Sequence, residues 1–207
     1  VTLRNSFIRA SDDCVCIKAA SYPDPAANRN VKNILVEHCV LWNAEPGNAV
    51  EIGYEVRCDE ISDITFRDLD IVHCQYEGNQ SGGVLTIHNA DRAYIHNIVY
   101  EDIRVEDAQE KFIDIKVLDS KYSLDRSRGR VEDIFFRNIE ILNGNFPVSI
   151  IRGFEMHTEM SRPQNIHFDN VVVLGEHINS PSDLHMVVEL SNDIWFNGKV
   201  HVKRNPF

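Results

Sequence analysis

Basic residues are scarce in this 207-residue sequence: 21 Lys and Arg stand against 32 Asp and Glu, for a net charge of -11. No Lys/Arg cluster occurs, and a nucleic-acid binder that releases counter-ions needs a basic face, so neither DNA nor RNA is an expected partner. No apolar run approaches the roughly 18 residues of a membrane span. Glycine and proline number only 10 and 7. Linker-like sequence is therefore scarce, and residues 1–207 are expected to form a single domain. The cysteines are five, an odd number: Cys14, Cys16, Cys39, Cys58 and Cys74. Their spacing fits no zinc pattern, so buried free thiols are expected, with no metal and no cofactor. Gly-rich phosphate loops, nucleophile elbows and zinc-protease motifs are lacking too. Val1-Thr2-Leu3-Arg4-Asn5 offers neither an initiator Met nor a signal peptide, and a strand-like run begins at once. The chain is therefore expected to be the C-terminal part of a longer polypeptide.

What is present is an internal repeat. The segments NILVEHCVL, DITFRDLDI, NIVYEDIRV, DIFFRNIEI and NIHFDNVVV superpose without gaps, and the opening VTLRNSFI fits the same template. Their first apolar positions are Val1, Ile34, Ile64, Ile98, Ile134 and Ile166, giving successive periods of 33, 30, 34, 36 and 32 residues. Two residues on comes the column Leu3, Val36, Phe66, Tyr100, Phe136, Phe168. Asn5, His38, Asp68, Asp102, Asn138 and Asn170 form a polar turn column, a composition that tolerates left-handed backbone. Apolar residues return at Ile8, Leu41, Ile71, Val105, Ile141 and Val173.

A second strand follows in each unit, at CVCIKA, AVEIGY, VLTIHN, FIDIKV, PVSIIR and, less cleanly, HMVVEL. Helical spacings of three and four are absent, and a propeller blade needs about four strands in 40 or more residues. Like stacked on like every 30–36 residues predicts an all-β, right-handed parallel β-helix of about six coils. An antiparallel sandwich accounts for the strands but not for the identity of the columns. Residues 192–207 are expected to close the last coil, since an uncapped sheet edge templates aggregation. Trp42 and Trp195 are expected to be packing residues.

Alternation in the second strand puts Val15/Ile17, Val50/Ile52, Leu85/Ile87, Ile113/Ile115 and Val148/Ile150 inside. Two columns then face outward: Cys16, Glu51, Thr86, Asp114, Ser149, and Lys18, Gly53, His88, Lys116, Ile151. Asp12-Asp13 precedes the first of these strands. Adjacent carboxylates repel and raise one pKa, the condition for a protonated acid beside an ionised base.

The stretch NSFIRASDDCVCIKAAS, followed a coil later by EPGNAVEIGYE, resembles right-handed β-helix glycoside hydrolases of the polygalacturonase type, and still more their dextranase and isopullulanase relatives. The resemblance covers residues 4–75 and implies a secreted or periplasmic hydrolase acting on a polysaccharide or oligosaccharide. It implies that Asp12 and Asp13 are catalytic, in an inverting reaction completed by a third carboxylate from the preceding coil. Inverting enzymes separate their two carboxyls by about 6.5–9.5 Å, and coils stack about 4.8 Å apart. Within the chain, Glu51 is the nearest outward carboxylate, one coil away; Asp114, three coils off, is too far to share the reaction. The pattern departs from polygalacturonases where Gly47-Asn48-Ala49 replaces their Gly-His-Gly, and where Thr86-Ile87-His88 replaces the Arg-x-Lys that grips a uronate. A neutral glycan is therefore expected, in keeping with the acidic charge. Tyr54 stands where several relatives carry a sugar-stacking Trp. Lys18, Asn48, Glu51, Tyr54, His88, Asp114 and Lys116 are the expected substrate-binding residues. Two alternatives share the fold: a polysaccharide lyase, with Lys18, Lys116, His88 or Arg152 as base, and a non-catalytic glycan-binding or structural solenoid.

Overall fold

The computed structural model describes residues 1–20, 29–44, 46–75, 82–145, 148–157 and 159–202. The repeat becomes two stacks of parallel strands. The first holds β1 (Thr2–Ala10), β3 (Val31–Asn43), β5 (Glu60–Cys74), β7 (Tyr94–Val105), β9 (Arg130–Ile141), β13 (Gln164–Val173) and β16 (Asn192–Phe196) in that spatial order. The second holds β2 (Val15–Ala19), β4 (Val50–Val56), β6 (Leu85–Asn89), β8 (Ile113–Val117), β10 (Ile150–Arg152) and β15 (Val187–Glu189). Each strand pairs in parallel with its counterpart one unit away. This is the expected parallel β-solenoid, of about five turns rather than six. No helix among the described residues is long and apolar enough to cross a membrane.

Column identity is what the stacking exploits. Ile34, Ile64, Ile98, Ile134 and Ile166 lie in register, as do Val36, Phe66, Tyr100, Phe136 and Phe168. The aromatic members form an internal stack, Phe66–Tyr100–Phe136–Phe168, with centroids 4.8–5.0 Å apart and planes within 11°. Phe196 extends it. All five rings are buried, and each buried ring stabilises the fold by about 2–3 kcal/mol through removal from water. At the other end of the solenoid the pattern weakens: Val1 is 84% exposed, because the first rung packs on one neighbour only.

The polar turn column behaves as expected. Asn5, His38, Asp68, Asp102, Asn138 and Asn170 all have φ between 50 and 55°. Their side chains form a ladder in which Asn138 Nδ2 donates to Asp102 and Asn170 Nδ2 donates to Asn138, both at 3.0 Å. A second left-handed column lies immediately before the first apolar one: Asn33, Asp63, Asn97, Asp133 and Asn165, with φ of 53–57°. Each long strand is thus bent at two corners, both at Asn, Asp or His, the types that tolerate this backbone.

One expectation needs correction. In the fifth unit Ile151 pairs with Ile115 and Ile150 with Asp114, so Ser149 and Ile151 point inward while Val148 is 42% exposed. The alignment was one residue out of register, and with a side-chain period of two such a slip exchanges the faces. Arg152, not Ile151, continues the column through His88 and Lys116. In the closing segment β16 first adds a parallel rung, and β17 (Lys199–Val202) then folds back antiparallel upon it; residues 203–207 lie outside the described residues. The hairpin of β11 (Phe154–Met156) and β12 (Glu159–Ser161), and β14 (Glu176–His177) against β13, are smaller additions. Trp42 and Trp195 pack as expected, stacked on His73 and His167 respectively.

Candidate functional site

The turn carrying Asp12 and Asp13, the turn carrying Gly47 and Asn48, and the loop after β8 enclose a cleft of about 390 Å³ at the β2 end of the second sheet. Six of the expected residues line it: Asp12, Asp13, Lys18, Asn48, Glu51 and Tyr54. Two turns meet here because Gly47 allows it. Gly47 has φ of 115°, and a Cβ at that position would lie 2.5 Å from the Asp12 carbonyl carbon and 2.6 Å from the Asp13 nitrogen. Asn43 Nδ2 also donates to the Asp12 carbonyl at 3.0 Å.

Asp13 is held with directional precision. Its Oδ1 accepts the Asn48 backbone N–H at 2.9 Å and the Asn48 Nδ2 at 2.7 Å. Its carboxyl lies beside that of Glu51, with an oxygen of each within 4.8 Å. Burial raises the Asp13 carboxyl above the usual range and the Glu51 charge raises it further, while the two Asn48 donors oppose both. Glu51 shifts the other way. Burial alone would raise it, but the His88 hydrogen bond and charge, the Asp13 bond and Lys18 take it below the usual range. The two carboxyls therefore shift in opposite directions, Asp13 up and Glu51 down.

The remaining expected residues take different parts. Asn48, 3% exposed, has its amide engaged by Asp13 Oδ1 and by the Gly83 N–H at 2.8 Å, so it positions Asp13 from the cleft wall. His88, Asp114 and Lys116, expected to touch substrate, are 0%, 0% and 8% exposed and do not line the cleft. The outward sheet face is roofed: Tyr54 stacks on the His88 ring at 4.5 Å, and Tyr122 leans on Tyr54 at 5.5 Å. His88 Nδ1 reaches Glu51 Oε1 at 2.7 Å, and Asp114 Oδ2 lies 2.8 Å from Lys116 Nζ. These three form a buried polar layer beneath the cleft.

Lys18 faces the cleft but pairs with Glu55 at 2.9 Å. Desolvation pulls its ammonium down, and Glu55 more than offsets this, so Lys18 titrates above the ordinary lysine range. Asp13, Cys16 and Glu51 each offer an atom within 4.8 Å of the others, a donor set that could hold a cation. The Cys16 sulfur is pushed up by desolvation and by the Glu51 and Asp13 charges. It is therefore a thiol, 3.3 Å from the Gly53 carbonyl. All five cysteines are free: Cys39, Cys58 and Cys74 are buried as expected, whereas Cys14 is half-buried and Cys16 exposed.

Glu55, Lys121 and Tyr122 also line the cleft and escaped the sequence reading. Lys121 and Tyr122 belong to the loop after β8, which the buried Asp91 ties down. Its Oδ1 accepts the N–H groups of Leu124 and Asp125 at 2.6 and 2.7 Å, and its Oδ2 accepts that of Val56 at 3.2 Å. One signal was available: the unit from Ile98 to Ile134 is the longest, 36 residues. Compared with protein-family models, with curated proteins and with solved structures, the chain finds no match.

Proposed function

We propose that this solenoid is a glycoside hydrolase domain acting on a neutral polysaccharide or oligosaccharide, with Asp13 as general acid. The observation that carries this reading is the carboxyl pair at the wall of an open cleft, where burial and the Glu51 charge push Asp13 up, toward its protonated form, while His88 pulls Glu51 down. A protonated carboxyl facing substrate is what departure of a glycosidic oxygen requires. Tyr54 and Tyr122 at the rim offer apolar ring surface for a sugar, and the cleft's carboxylates, four against two lysines, are unsuited to a uronate.

Glu51 is not the base of an inverting pair with Asp13. Their oxygens lie within 4.8 Å, too close to admit water in a site that needs about 6.5–9.5 Å. Glu51 instead helps to push Asp13 up by its charge. Among the described carboxylates that line the cleft, Asp12, which is exposed, and Glu55, which pairs with Lys18, are left as candidates to activate water. Of the bases the lyase alternative offered, Lys18, which lines the cleft, is held charged by Glu55, and Lys116 and His88 do not line it.

The test is reducing-end release from dextran, pullulan and polygalacturonate. A neutral glycan should be cleaved in preference to polygalacturonate, and Asp13→Asn should lower kcat by about 10²–10⁴-fold while the fold is retained. Full activity in the Asp13→Asn protein, preference for polygalacturonate with an unsaturated product, or tight glycan binding without turnover would each overturn the reading.

A further inference from the structure

The polar layer beneath the cleft has a geometry that solvation of a sheet face does not require. His88 sits on β6 between two carboxylates from its neighbouring strands, Glu51 of β4 and Asp114 of β8. Strand register places Thr86 directly between those carboxylates, since Glu51 pairs with Thr86 and Thr86 with Asp114. Thr86 is small and bonds away to the Val50 carbonyl at 3.0 Å. His88, two residues further on, reaches diagonally to both, Nδ1 to Glu51 Oε1 at 2.7 Å and Nε2 to Asp114 Oδ2 at 3.4 Å. The second contact is an ion pair rather than a well-directed hydrogen bond.

We propose that His88 is the positioning residue of this site: an imidazolium locked between Glu51 and Asp114, it holds the Glu51 carboxylate in place beside Asp13. A neutral imidazole has one N–H and one lone pair, and its lone pair would face a carboxylate on one side or the other. Only the doubly protonated ring suits both. Water does not screen the arrangement, because the ring is fully buried and Tyr54 covers it on the cleft side. Asp114 is itself neutralised from behind, by Lys116 at 2.8 Å and Lys111 at 3.6 Å, and Lys111 by Glu110 at 3.1 Å. Charges therefore alternate along the layer from Glu51 to Lys116. The charged and titratable groups around the ring are Glu51 and Tyr54 on one side and Asp114 and Lys116 on the other, with Lys18 beyond Glu51. Burial alone would lower the His88 pKa, but Asp114 and Glu51 overrule it and push it up to about 9.

The role rests on the reading of Asp13 as the acid, and two measurements keep the failures apart. In ¹⁵N-histidine- and ¹³C-carboxyl-labelled chain, NMR should show His88 as imidazolium and Glu51 as carboxylate at pH 7. The near-isosteric Asp114→Asn should lower the His88 pKa by about one unit, tenfold in the equilibrium, and raise that of Glu51. A neutral imidazole at pH 7, or titrations unmoved by Asp114→Asn, overturns the proposal whether or not any glycan is cleaved. In the pH–rate profile of glycan hydrolysis, the acid limb should move to higher pH in Asp114→Asn. A profile that is scaled down with its limbs in place means structural support alone and equally overturns it. Imidazolium behaviour as described with no glycan turned over places the failure on the glycosidase reading instead.

Discussion

A buried imidazolium makes stability depend on pH in a definite direction. Free histidine titrates at 6.5 and His88 at about 9, so the native state holds a proton that the unfolded chain releases between those values. A raised pKa contributes stability that is fully present below pH 6.5 and is lost as pH rises through about 9. One proton corresponds to about 1.4 kcal/mol per pH unit, so the loss across the interval is about 3 kcal/mol. No discount for solvent applies, because the ring is fully buried. Other shifted groups act elsewhere: His167, lowered by desolvation, acts below 6.5, and the raised thiols Cys14, Cys16 and Cys58 act only above 9. Asp13 begins to lose its contribution from pH 3.8 upward, so the experiment is best done in an Asp13→Asn background. Urea unfolding followed by tryptophan fluorescence at pH 6, 7, 8 and 9 should show the free energy of unfolding falling progressively, and His88→Gln should abolish the slope. A free energy constant to within about 0.5 kcal/mol across the interval, or an equal slope in His88→Gln, would refute the assignment of charge to His88.

The aromatic stack and the glycine at the turn offer simpler checks. Phe136 lies between Tyr100 and Phe168 at 4.9 and 4.8 Å, so Phe136→Ala should cost about 3–5 kcal/mol in equilibrium unfolding; a loss under about 1 kcal/mol would mean that the stack does not hold the coils together. Gly47→Ala drives a Cβ to 2.5 Å from the Asp12 carbonyl carbon at φ 115°. It should displace the Asp12–Asp13 turn, lowering kcat at least about tenfold and stability by about 1–3 kcal/mol. Unchanged turnover would show that the turn is not placed by Gly47.

The coil period, the inward columns and the Asn/Asp corners were legible in the sequence because stacking repeats the same local environment in every unit. An apolar residue recurring at Ile34, Ile64 and Ile98 carries its own register. The second corner column, at Asn33, Asp63, Asn97, Asp133 and Asn165, was visible as composition but not as geometry. Where the unit varied, at Val148–Ile151, the register could not be read, since apolar residues on adjacent positions fit either face.

Within the site, the sequence by itself determined that Asp12, Asp13, Glu51 and Lys18 share one end of one sheet, because strand alternation and coil spacing suffice for that, whereas alternation does not place Tyr54 among them. It did not determine which of the polar residues meets solvent. His88, Asp114 and Lys116 alternate outward like surface residues, yet Tyr54, Tyr122 and the loop pinned by Asp91 roof them. Only the tertiary structure made that choice, because burial on an outward face depends on a loop from a different coil. With burial comes the low dielectric that pushes Asp13 up and strengthens the pull of Glu51 and Asp114 on the histidine beneath.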